Sequence, residues 1–351
     1  MKTAVYIGRF QPFHKAHQNL ISETLETYDR LIVLIGSANR SRSLKNPFVY
    51  EERARMVAQG INNINKDLSG KHLHILLLND THRGDDAWWE LVRDRVNQAL
   101  QGDDQTFEDV TVVGTYKDAD SGWLTSCPVA TDTAFEVGRT SEYEVLSATD
   151  VREAYFSSVI PTISKEVPES TRAFLKEFAD TPAFLELLRM KEQIKRGREL
   201  FAGYPFPECL RMNAADALAT DSANRVLMVQ RRGPKGKGQW ALPGGHVNND
   251  ETFVQGAYRE LAEETNLKLS PRGRTRTHLF DDRPATGAWP YITLVVQHQN
   301  VDIHKQDIRA QDDAVDVRWM SLEVIQRFAQ ENKIFSDHAL LIEYFYPNMK
   351  V

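Results

Sequence analysis

The stretch AVYIGRFQPFHKAH, residues 4–17, joins a short apolar run to a loop that is rich in basic and aromatic side chains. Such a run is typical of a buried strand, and the pattern that begins at residue 15 indicates a helix directly after the loop. The free N–H groups at the start of a helix bind anions, and histidine and arginine side chains add further donors. The stretch therefore predicts a strand, a loop and a helix built around an anion.

Apolar runs and helical patterns alternate through the rest of the first half. Further runs lie at residues 31–35, 73–78 and 110–113, and the helical patterns lie at 15–27, 50–61 and 88–100. Buried strands that alternate with helices indicate a parallel sheet with helices on both faces. Ligands of such sheets bind beyond the carboxyl ends of the strands, which is where the loop after the first run falls.

The second half has a different pattern. A long helical stretch at 171–201 leads into AGYPFPE, residues 202–208, whose glycine and two prolines break a helix. Strand patterns follow at 211–220, 225–232, 291–299 and 315–322, and helical patterns at 252–265 and 337–346. We therefore expect an α/β domain at 1–185, a helical, proline-containing linker at 186–205 and an α+β domain at 206–351.

Composition excludes several classes of protein. Hydrophobic residues make up 41% and charged residues 26% of the 351 residues, which is typical of soluble globular domains. The net charge of −6 argues against a general nucleic-acid binder. Cys127 and Cys209 lie far apart without metal-ligand spacing, so we expect neither a disulfide nor a zinc site. With no leader pattern and no apolar run of membrane-spanning length, we expect a cytoplasmic protein that binds no membrane.

The loop after the first strand carries groups that suit phosphate chemistry. Gly8 lets a ligand approach the backbone closely, and Arg9 can form charge-assisted bonds. His14 and His17 are three residues apart, so they share one face of a helical turn. The alternative is that one histidine caps the helix while the other packs in the core.

A second group of this kind is SATDVR, residues 147–152. Ser147 and Thr149 can cap a helix, and Arg152 lies one turn into it. The pair of motifs G-x-F-x-P-x-H-x-x-H and S-x-T-x-x-R resembles the nucleotidyltransferase superfamily, and within it the nicotinamide mononucleotide adenylyltransferases of the archaeal type. The stretches GSANRSRSLKNPFVYEERARM and NDTHRGDDAWWELV support the resemblance, which covers roughly residues 1–170. Ala16 stands where the family motif has glycine.

The resemblance implies a Rossmann-like sheet and a reaction. The 5′-phosphate of nicotinamide mononucleotide attacks the α-phosphorus of ATP, and the products are NAD and pyrophosphate. His14 and His17 would contact ATP phosphates, and Arg9 and Arg152 would bind the charge on the leaving pyrophosphate. Trp88 would stack on nicotinamide while Asp80 accepts from its amide, although an aromatic core helix is the alternative interpretation. The remaining candidate contacts are Gly8, Phe10, Gly114, Asp118, Ser147 and Thr149, with Phe10 expected mainly to shape the loop.

The C-terminal half contains a cluster of carboxylates. Glu260, Glu263 and Glu264 occupy positions i, i+3 and i+4 of the predicted helix at 252–265, so they share a face. Like charges at this spacing destabilise a helix by about 0.2–0.5 kcal/mol per pair. A divalent cation such as Mg²⁺ or Mn²⁺ reverses that effect, because it prefers clustered oxygen ligands. A solvated acidic face is the alternative.

The spacing G-x5-E-x7-R-E-U-x-E-E-x-N-U at 245–267, where U is aliphatic, and the loop WALPGGHV resemble the Nudix hydrolases. Asn266 stands where that motif has glycine. Among the residues other than glycine, asparagine tolerates the left-handed conformation best. The resemblance implies metal-dependent hydrolysis of a nucleoside diphosphate linked to another group. The candidate metal set is Glu260, Glu264, Glu263 and Gly245, with Glu263 as ligand or base. Other candidates are Arg231 and Arg232 for phosphate, Asp312 and Asp313 as base, and an Arg259–Glu251 ion pair.

Together the two resemblances predict a bifunctional enzyme of NAD metabolism with ATP, nicotinamide mononucleotide, NAD and ADP-ribose as ligands. The choice of ADP-ribose rests on the pairing of the domains. Alternatives are another adenylyl or cytidylyl transfer in the first domain, and NADH or a nucleoside triphosphate as the Nudix substrate. A non-catalytic ADP-ribose sensor is a further alternative. The sequence leaves open whether the protein is a homo-oligomer.

Overall fold

The structure is a computed structural model that describes residues 1–64, 67–114, 126–132, 148–157, 167–203, 210–233, 236–269, 275–283, 290–302 and 307–349. The chain is divided into two compact units, Met1–Leu188 and Arg189–Val351. The division falls within the predicted linker, whose proline-containing part lies outside the described residues. The predicted domain limits at 185 and 206 stay predictions.

The described strands of the first unit form a parallel sheet. They are β1 (Thr3–Gly8), β2 (Arg30–Ile35), β3 (His72–Leu77), β4 (Thr111–Val113) and β5 (Thr131–Asp132). Their order is β3-β2-β1-β4-β5, and every pair is parallel. The chain moves outward from β1 to β3 and then returns to the other side of β1. Since ligands of open α/β sheets bind where this order reverses, the site is expected beyond the ends of β1 and β4.

The apolar runs form strands because both faces of the sheet are covered. On β2, Leu31 and Val33 join one buried cluster, while Ile32 and Leu34 join another on the opposite face. All six residues of β2 are buried. Each such side chain contributes about 1.5–3 kcal/mol when it is removed from water. The predicted parallel α/β sheet is confirmed.

Helices of the first unit pack against this sheet or extend the core beside it. They are α1 (Lys15–Thr27), α2 (Tyr50–Asn62), α3 (Asp85–Ala99), α4 (Ala148–Phe156), α5 (Glu169–Ala179) and the first part of α6 (Pro182–Leu200), since the limit of the unit falls within that helix. The helical stretch predicted at 171–201 consists of two helices, because α5 ends where the Thr181 hydroxyl donates to the Phe178 carbonyl, 2.7 Å away. Pro182 then starts α6, a position where its missing N–H has no cost. Among the described helices, none is long and apolar enough to cross a bilayer.

The second unit contains a mixed sheet with the order β10-β11-β6-β7-β12. Its strands are β6 (Met212–Asp221), β7 (Val226–Arg231), β8 (Trp240–Ala241), β9 (Gly244–His246), β10 (Thr275–Arg283), β11 (Tyr291–Val301) and β12 (Ala314–Met320). The pair β6–β11 is parallel, and the other described pairs are antiparallel. The helices are α7 (Phe253–Thr265), α8 (Leu322–Gln330) and α9 (His338–Phe345). This architecture confirms the predicted α+β class.

Helix α7 lies close to the sheet because small residues face it. Ala215, Ala217 and Ala219 of β6 form one buried cluster with Ala257 and Leu261 of α7. Alanine side chains let a helix approach a strand closely, which brings the carboxylates of α7 to the loop between β8 and β9. The packing of β6 therefore places the second candidate site.

Four elements of the second unit were not predicted: the strands β8, β9 and β10 and the helix α8. Helix α8 begins after Ser321, whose hydroxyl accepts from the N–H of Val324 over 3.4 Å. A serine before an apolar helical pattern is a recognised start signal, so this helix could have been found from the sequence.

Candidate active sites

The loop after β1 is shaped by Phe10. This residue has a left-handed backbone with φ of 51°, and its buried ring lies against Gly8. A Cβ on Gly8 would collide with the ring, so the position requires glycine. Phe10 also contacts Tyr6, with ring centroids 5.5 Å apart. The ring of Phe10 therefore shapes the loop and fills the space that a side chain at position 8 would need.

The two histidines lie together at the start of α1. The N–H of His14 donates to Nδ1 of His17 over 3.2 Å, and the two rings stack with centroids 3.6 Å apart. Phe10 and Phe13 pack on the ring of His17, with centroids 4.9 and 5.7 Å away. Because Nδ1 of His17 accepts a hydrogen bond, its neutral ring carries the proton on Nε2. His17 can then donate to a phosphate oxygen without a change of tautomer. Ala16 is half-buried in the first turn of α1.

Arginine side chains gather around the same loop. Arg152 is buried and donates through Nη1 to the carbonyl of Gln11 over 2.7 Å, and through Nη2 to Thr149 Oγ1 over 3.0 Å. Burial, and then the charge of Arg9, lower the pKa of Arg152 to about 10. The side chain of Arg9 is exposed, and it forms no ion pair with a described residue. This concentration of positive charge suits a polyphosphate.

The predicted nicotinamide contacts lie after β3 and on α3. The carboxylate of Asp80 accepts from Arg40 Nε at 2.7 Å and from the Ser37 hydroxyl at 3.1 Å. Trp88 is half-buried on α3, and its ring meets that of the buried Trp89 edge-on with centroids 5.0 Å apart. Trp89 is a core residue, whereas Trp88 retains exposed ring surface. The stacking role of Trp88 and the amide contact of Asp80 stay predictions.

The other predicted contacts of this unit divide into described and undescribed residues. Gly114 follows β4, and its N–H donates to the carbonyl of Asp132 over 3.3 Å. It lies at the edge of the sheet where the strand order reverses. Thr149 lies in the first turn of α4 and accepts from Arg152. Asp118, Ser147 and Cys209 lie outside the described residues.

In the second unit, Arg259 is the centre of an ionic network on α7. Its guanidinium binds Glu251 at 2.6 Å, Glu263 at 2.8 Å and Glu260 at 2.9 Å. It also donates to the carbonyl of His246 over 2.9 Å, which connects the helix to β9. The predicted Arg259–Glu251 ion pair is confirmed. The arginine offsets the repulsion of carboxylates that share one face of the helix.

Glu264 lies deepest among these carboxylates. Its Oε2 accepts from the N–H of Gly244 over 3.1 Å, and burial raises its pKa to about 8. Burial also raises the pKa of Glu260, whose charge acts on Glu264 in turn. A Cβ on Gly245 would overlap the carboxylate of Glu260, so that carboxylate keeps its position only with glycine there. The start of β9 and the face of α7 thus enclose two carboxyl groups whose pKa values are raised by burial.

These residues have the chemistry of a site for a hard divalent cation. Within the described ranges, no group of three or more His, Cys, Asp or Glu side chains is arranged to hold a metal. In this arrangement Arg259 binds Glu260 and Glu263. Buried carboxylate oxygens that repel one another are nevertheless the donors that Mg²⁺ and Mn²⁺ prefer. Glu260, Glu263, Glu264 and the backbone of Gly245 fit such an ion, and their assignment stays a prediction.

The end of α7 explains the departure from the motif. Asn266 adopts the left-handed conformation with φ of 58°, and its N–H donates to the carbonyl of Ala262 over 2.9 Å. Its side chain donates to the carbonyl of Asp307 over 2.8 Å. Asparagine therefore fills the glycine position without strain and adds a contact that glycine lacks.

The remaining candidates of this unit surround the carboxylates. The guanidinium of Arg231 lies over the ring of Phe335 at 4.3 Å, and its charge acts on Glu264. Asp312 has φ of 48° and lies close enough to raise the pKa of Glu260. Arg232 instead donates to the carbonyl of Ala314 over 3.1 Å. Arg231 is thus the better placed of the two arginines for a phosphate.

Two buried residues near the sites, Arg53 and His338, were not identified as candidates from the sequence. Arg53 is 1% exposed and contacts the loop after β1. His338 is buried, and its Nδ1 accepts from the N–H of Leu242 over 3.1 Å. Arg53 is part of the stretch GSANRSRSLKNPFVYEERARM, so that motif was a signal for it. His338 has no local signal, because its partner lies about a hundred residues away.

Comparisons with known proteins agree with this division. The Cytidylyltransferase-like family matches residues 5–154, and the NUDIX domain family matches residues 210–343. The nicotinamide/nicotinic acid mononucleotide adenylyltransferase of Acinetobacter baylyi is 35% identical over 183 residues, which are 52% of this chain and 89% of the relative. The nicotinamide-nucleotide adenylyltransferase of Archaeoglobus fulgidus is 40% identical over 81 residues, 23% of this chain and 47% of the relative. This chain therefore spans about half the length of the archaeal relative.

Solved structures resemble the whole chain. A crystal structure of a bifunctional NMN adenylyltransferase/ADP ribose pyrophosphatase from Francisella tularensis has a TM-score of 0.81 and 27% identity, covering 99% of each chain. A second structure of such an enzyme from the same organism, complexed with AMP and an Mn ion, has a TM-score of 0.79 with the same identity and coverage. The two resemblances expected from the motifs are confirmed.

Proposed function

Because the chain belongs to the nicotinamide mononucleotide adenylyltransferase family and continues into a Nudix hydrolase domain, we propose that it makes NAD and also degrades ADP-ribose. The first unit would form NAD and pyrophosphate from ATP and nicotinamide mononucleotide. The second would hydrolyse ADP-ribose to AMP and ribose 5-phosphate with a divalent cation. The observation that carries the pairing is the similarity over 99% of both chains to the bifunctional enzyme of Francisella tularensis.

In the first reaction the protein positions two phosphates and stabilises charge. Nε2–H of His17 would donate to a phosphate oxygen of ATP, since the other ring nitrogen is bound to the N–H of His14. The exposed guanidinium of Arg9 would bind the departing pyrophosphate. The guanidinium of Arg152, which already donates to Gln11 and Thr149, would bind it as well. A transfer between two bound phosphates needs no covalent intermediate, and its rate depends on alignment and on preorganised donors.

In the second reaction the carboxylates of α7 would hold the cation and orient water. Glu260 and Glu264 are the proposed principal ligands, and Glu263 is the proposed ligand or base. A bound divalent cation would neutralise the diphosphate and lower the pKa of the attacking water. Arg259 would then keep its bonds to Glu251 and to the His246 carbonyl, which hold the loop against the helix. Arg231 would donate to a phosphate oxygen of the substrate.

A hydrolysis panel tests the second activity. The full chain is incubated with ADP-ribose, NAD, NADH and nucleoside triphosphates, each with Mg²⁺, with Mn²⁺ and with chelator. We expect AMP and ribose 5-phosphate from ADP-ribose only when a cation is present. If NADH or a nucleoside triphosphate is cleaved faster than ADP-ribose, that compound is the substrate instead. If nothing is cleaved while ADP-ribose still binds, the domain is a sensor.

Formation of NAD from ATP and nicotinamide mononucleotide tests the first activity in the same preparation. The nicotinic acid mononucleotide is compared in parallel, because the relative from Acinetobacter baylyi is named for both forms. Transfer of another nucleotide, such as a cytidylyl group, in place of the adenylyl group would refute the proposal for this unit.

A further inference from the structure

Arg53 is a buried arginine on α2 that binds only backbone carbonyls among the described residues. Nη1 donates to the carbonyls of Arg9 at 2.8 Å and Gly36 at 2.6 Å. Nη2 donates to the carbonyl of Ser37 at 3.2 Å, and Nε donates to that of Val49 at 3.4 Å. The side chain is 1% exposed and forms no ion pair with a described carboxylate. One guanidinium thus connects three separate segments of the chain.

The bound carbonyls belong to the segments around the first site. Arg9 follows β1, Gly36 and Ser37 follow β2, and Val49 precedes α2. The N–H of Gly36 also donates to the carbonyl of Gly8 over 2.9 Å, which joins the same two loops a second time. The fork of Arg53 therefore determines how far apart the two loops lie at the carboxyl edge of the sheet.

A buried cation without a carboxylate partner is costly, which indicates a specific use. Burial lowers the pKa of Arg53 to about 10, so the charge is retained at neutral pH but is destabilised. A residue that only filled the core could be apolar at less cost. The carbonyls of Arg9 and Gly36 would otherwise need other donors.

The loop after β1 is also held by a second arginine, which binds it on the other side of Phe10 from Arg53. Arg152 donates to the carbonyl of Gln11 over 2.7 Å. The side chain of Gln11 exchanges two hydrogen bonds with the backbone of Phe48, at 2.8 and 3.0 Å. Arg53 and Arg152 thus hold the backbone on both sides of Phe10. The direction of the Arg9 side chain and the start of α1 depend on that backbone.

We propose that Arg53 is a positioning residue for adenylyl transfer, which aligns Arg9 and the two histidines by binding the carbonyls of the loops after β1 and β2. This inference rests on the proposed reaction of the first unit. The substrate does not reach Arg53, because its side chain is buried, so its effect on the reaction passes through the loop. Lysine cannot replace it fully, because a single ammonium group lacks the planar fork that reaches three segments.

The test compares Arg53→Lys and Arg53→Gln with Arg30→Gln in the full chain. Arg30 is a matched control, since it is 5% exposed, lies at the opposite end of β2 and pairs with Asp103 at 2.5 Å. For each variant kcat and both KM values of NAD formation are measured, together with thermal unfolding. Hydrolysis of ADP-ribose by the same preparation reports on the amount of intact second unit, and thermal unfolding reports on the folding of the first.

We expect misalignment to lower kcat about 100-fold in Arg53→Gln and about tenfold in Arg53→Lys, with KM for the mononucleotide within about twofold. Arg30→Gln is expected to lower the unfolding temperature while kcat stays within about twofold of the unmodified protein. Unchanged kcat in a folded Arg53 variant overturns the proposal, as does an equal loss of kcat in Arg30→Gln. If Arg53→Gln does not fold, Arg53→Lys decides, and if neither folds, the residue is purely structural and the proposal is wrong. Absence of NAD formation by the unmodified protein refutes the proposed reaction instead.

Discussion

The backbone N–H of Gly244 donates to Oε2 of Glu264 over 3.1 Å, in a place where burial raises the pKa of that carboxyl group from 4.5 to about 8. Between these pH values the folded state keeps a proton that the unfolded state has released. Stability of the metal-free second unit therefore falls as pH rises from 4.5 to about 8. Thermal unfolding with chelator, across this range, should show a smaller decline for Glu264→Gln. If the unfolding temperatures of the two proteins fall by the same amount, the pKa of Glu264 is not raised.

The two sites should be separable by single substitutions. His17→Ala removes a donor to the ATP phosphates, and we expect NAD formation to fall about 10²- to 10³-fold while ADP-ribose hydrolysis is unchanged. Glu264→Gln should do the reverse. His72→Ala is the control, because His72 is exposed on β3. Loss of both reactions from either single change in a folded protein would disprove the two-site interpretation.

Gly245→Ala should inactivate the second site. The added Cβ would overlap the carboxylate of Glu260, so the carboxylate, the loop or the helix must shift. A shift of about 1 Å can cost about 100-fold in rate, and we expect a loss of that size in ADP-ribose hydrolysis. Gly233→Ala provides the comparison, since nothing lies within 4 Å of its added Cβ. Equal hydrolysis by the two variants would show that Glu260 moves away without consequence.

The two adjacent tryptophans should respond differently to substitution. Trp89 is 7% exposed in the core of the first unit, so Trp89→Ala should lower the free energy of unfolding by about 3–5 kcal/mol. Trp88→Ala should instead weaken mononucleotide binding by about 1–3 kcal/mol, the usual value of stacking on a base. Chemical denaturation and KM measurements for both variants check this. An unchanged KM in Trp88→Ala would assign its ring to packing alone.

Local patterns were sufficient for much of the fold. Strands β1 and β2 were predictable because both of their faces are buried, which leaves an apolar run in the sequence. The carboxylates of α7 were predictable because a helical period of 3.6 residues puts positions i, i+3 and i+4 on one face. The break between α5 and α6 was missed, although Pro182 marks it. Strand β10 was missed because its sequence, TRTHLFDDR, mixes charged and apolar residues without regular alternation.

The sequence by itself determined which chemical groups the protein carries and where along the chain they lie, because motif spacing and hydrophobic period are local properties. Only the tertiary structure decided how groups that lie far apart along the chain are paired. The carboxylate of Asp80 meets Arg40, and the guanidinium of Arg53 meets the carbonyl of Arg9, across about forty residues of chain. Such partners are brought together by the order of strands in the sheet and by the burial of polar groups that must then find acceptors. That requirement is why a buried arginine, which no spacing rule predicted, came to connect the loops of the first site.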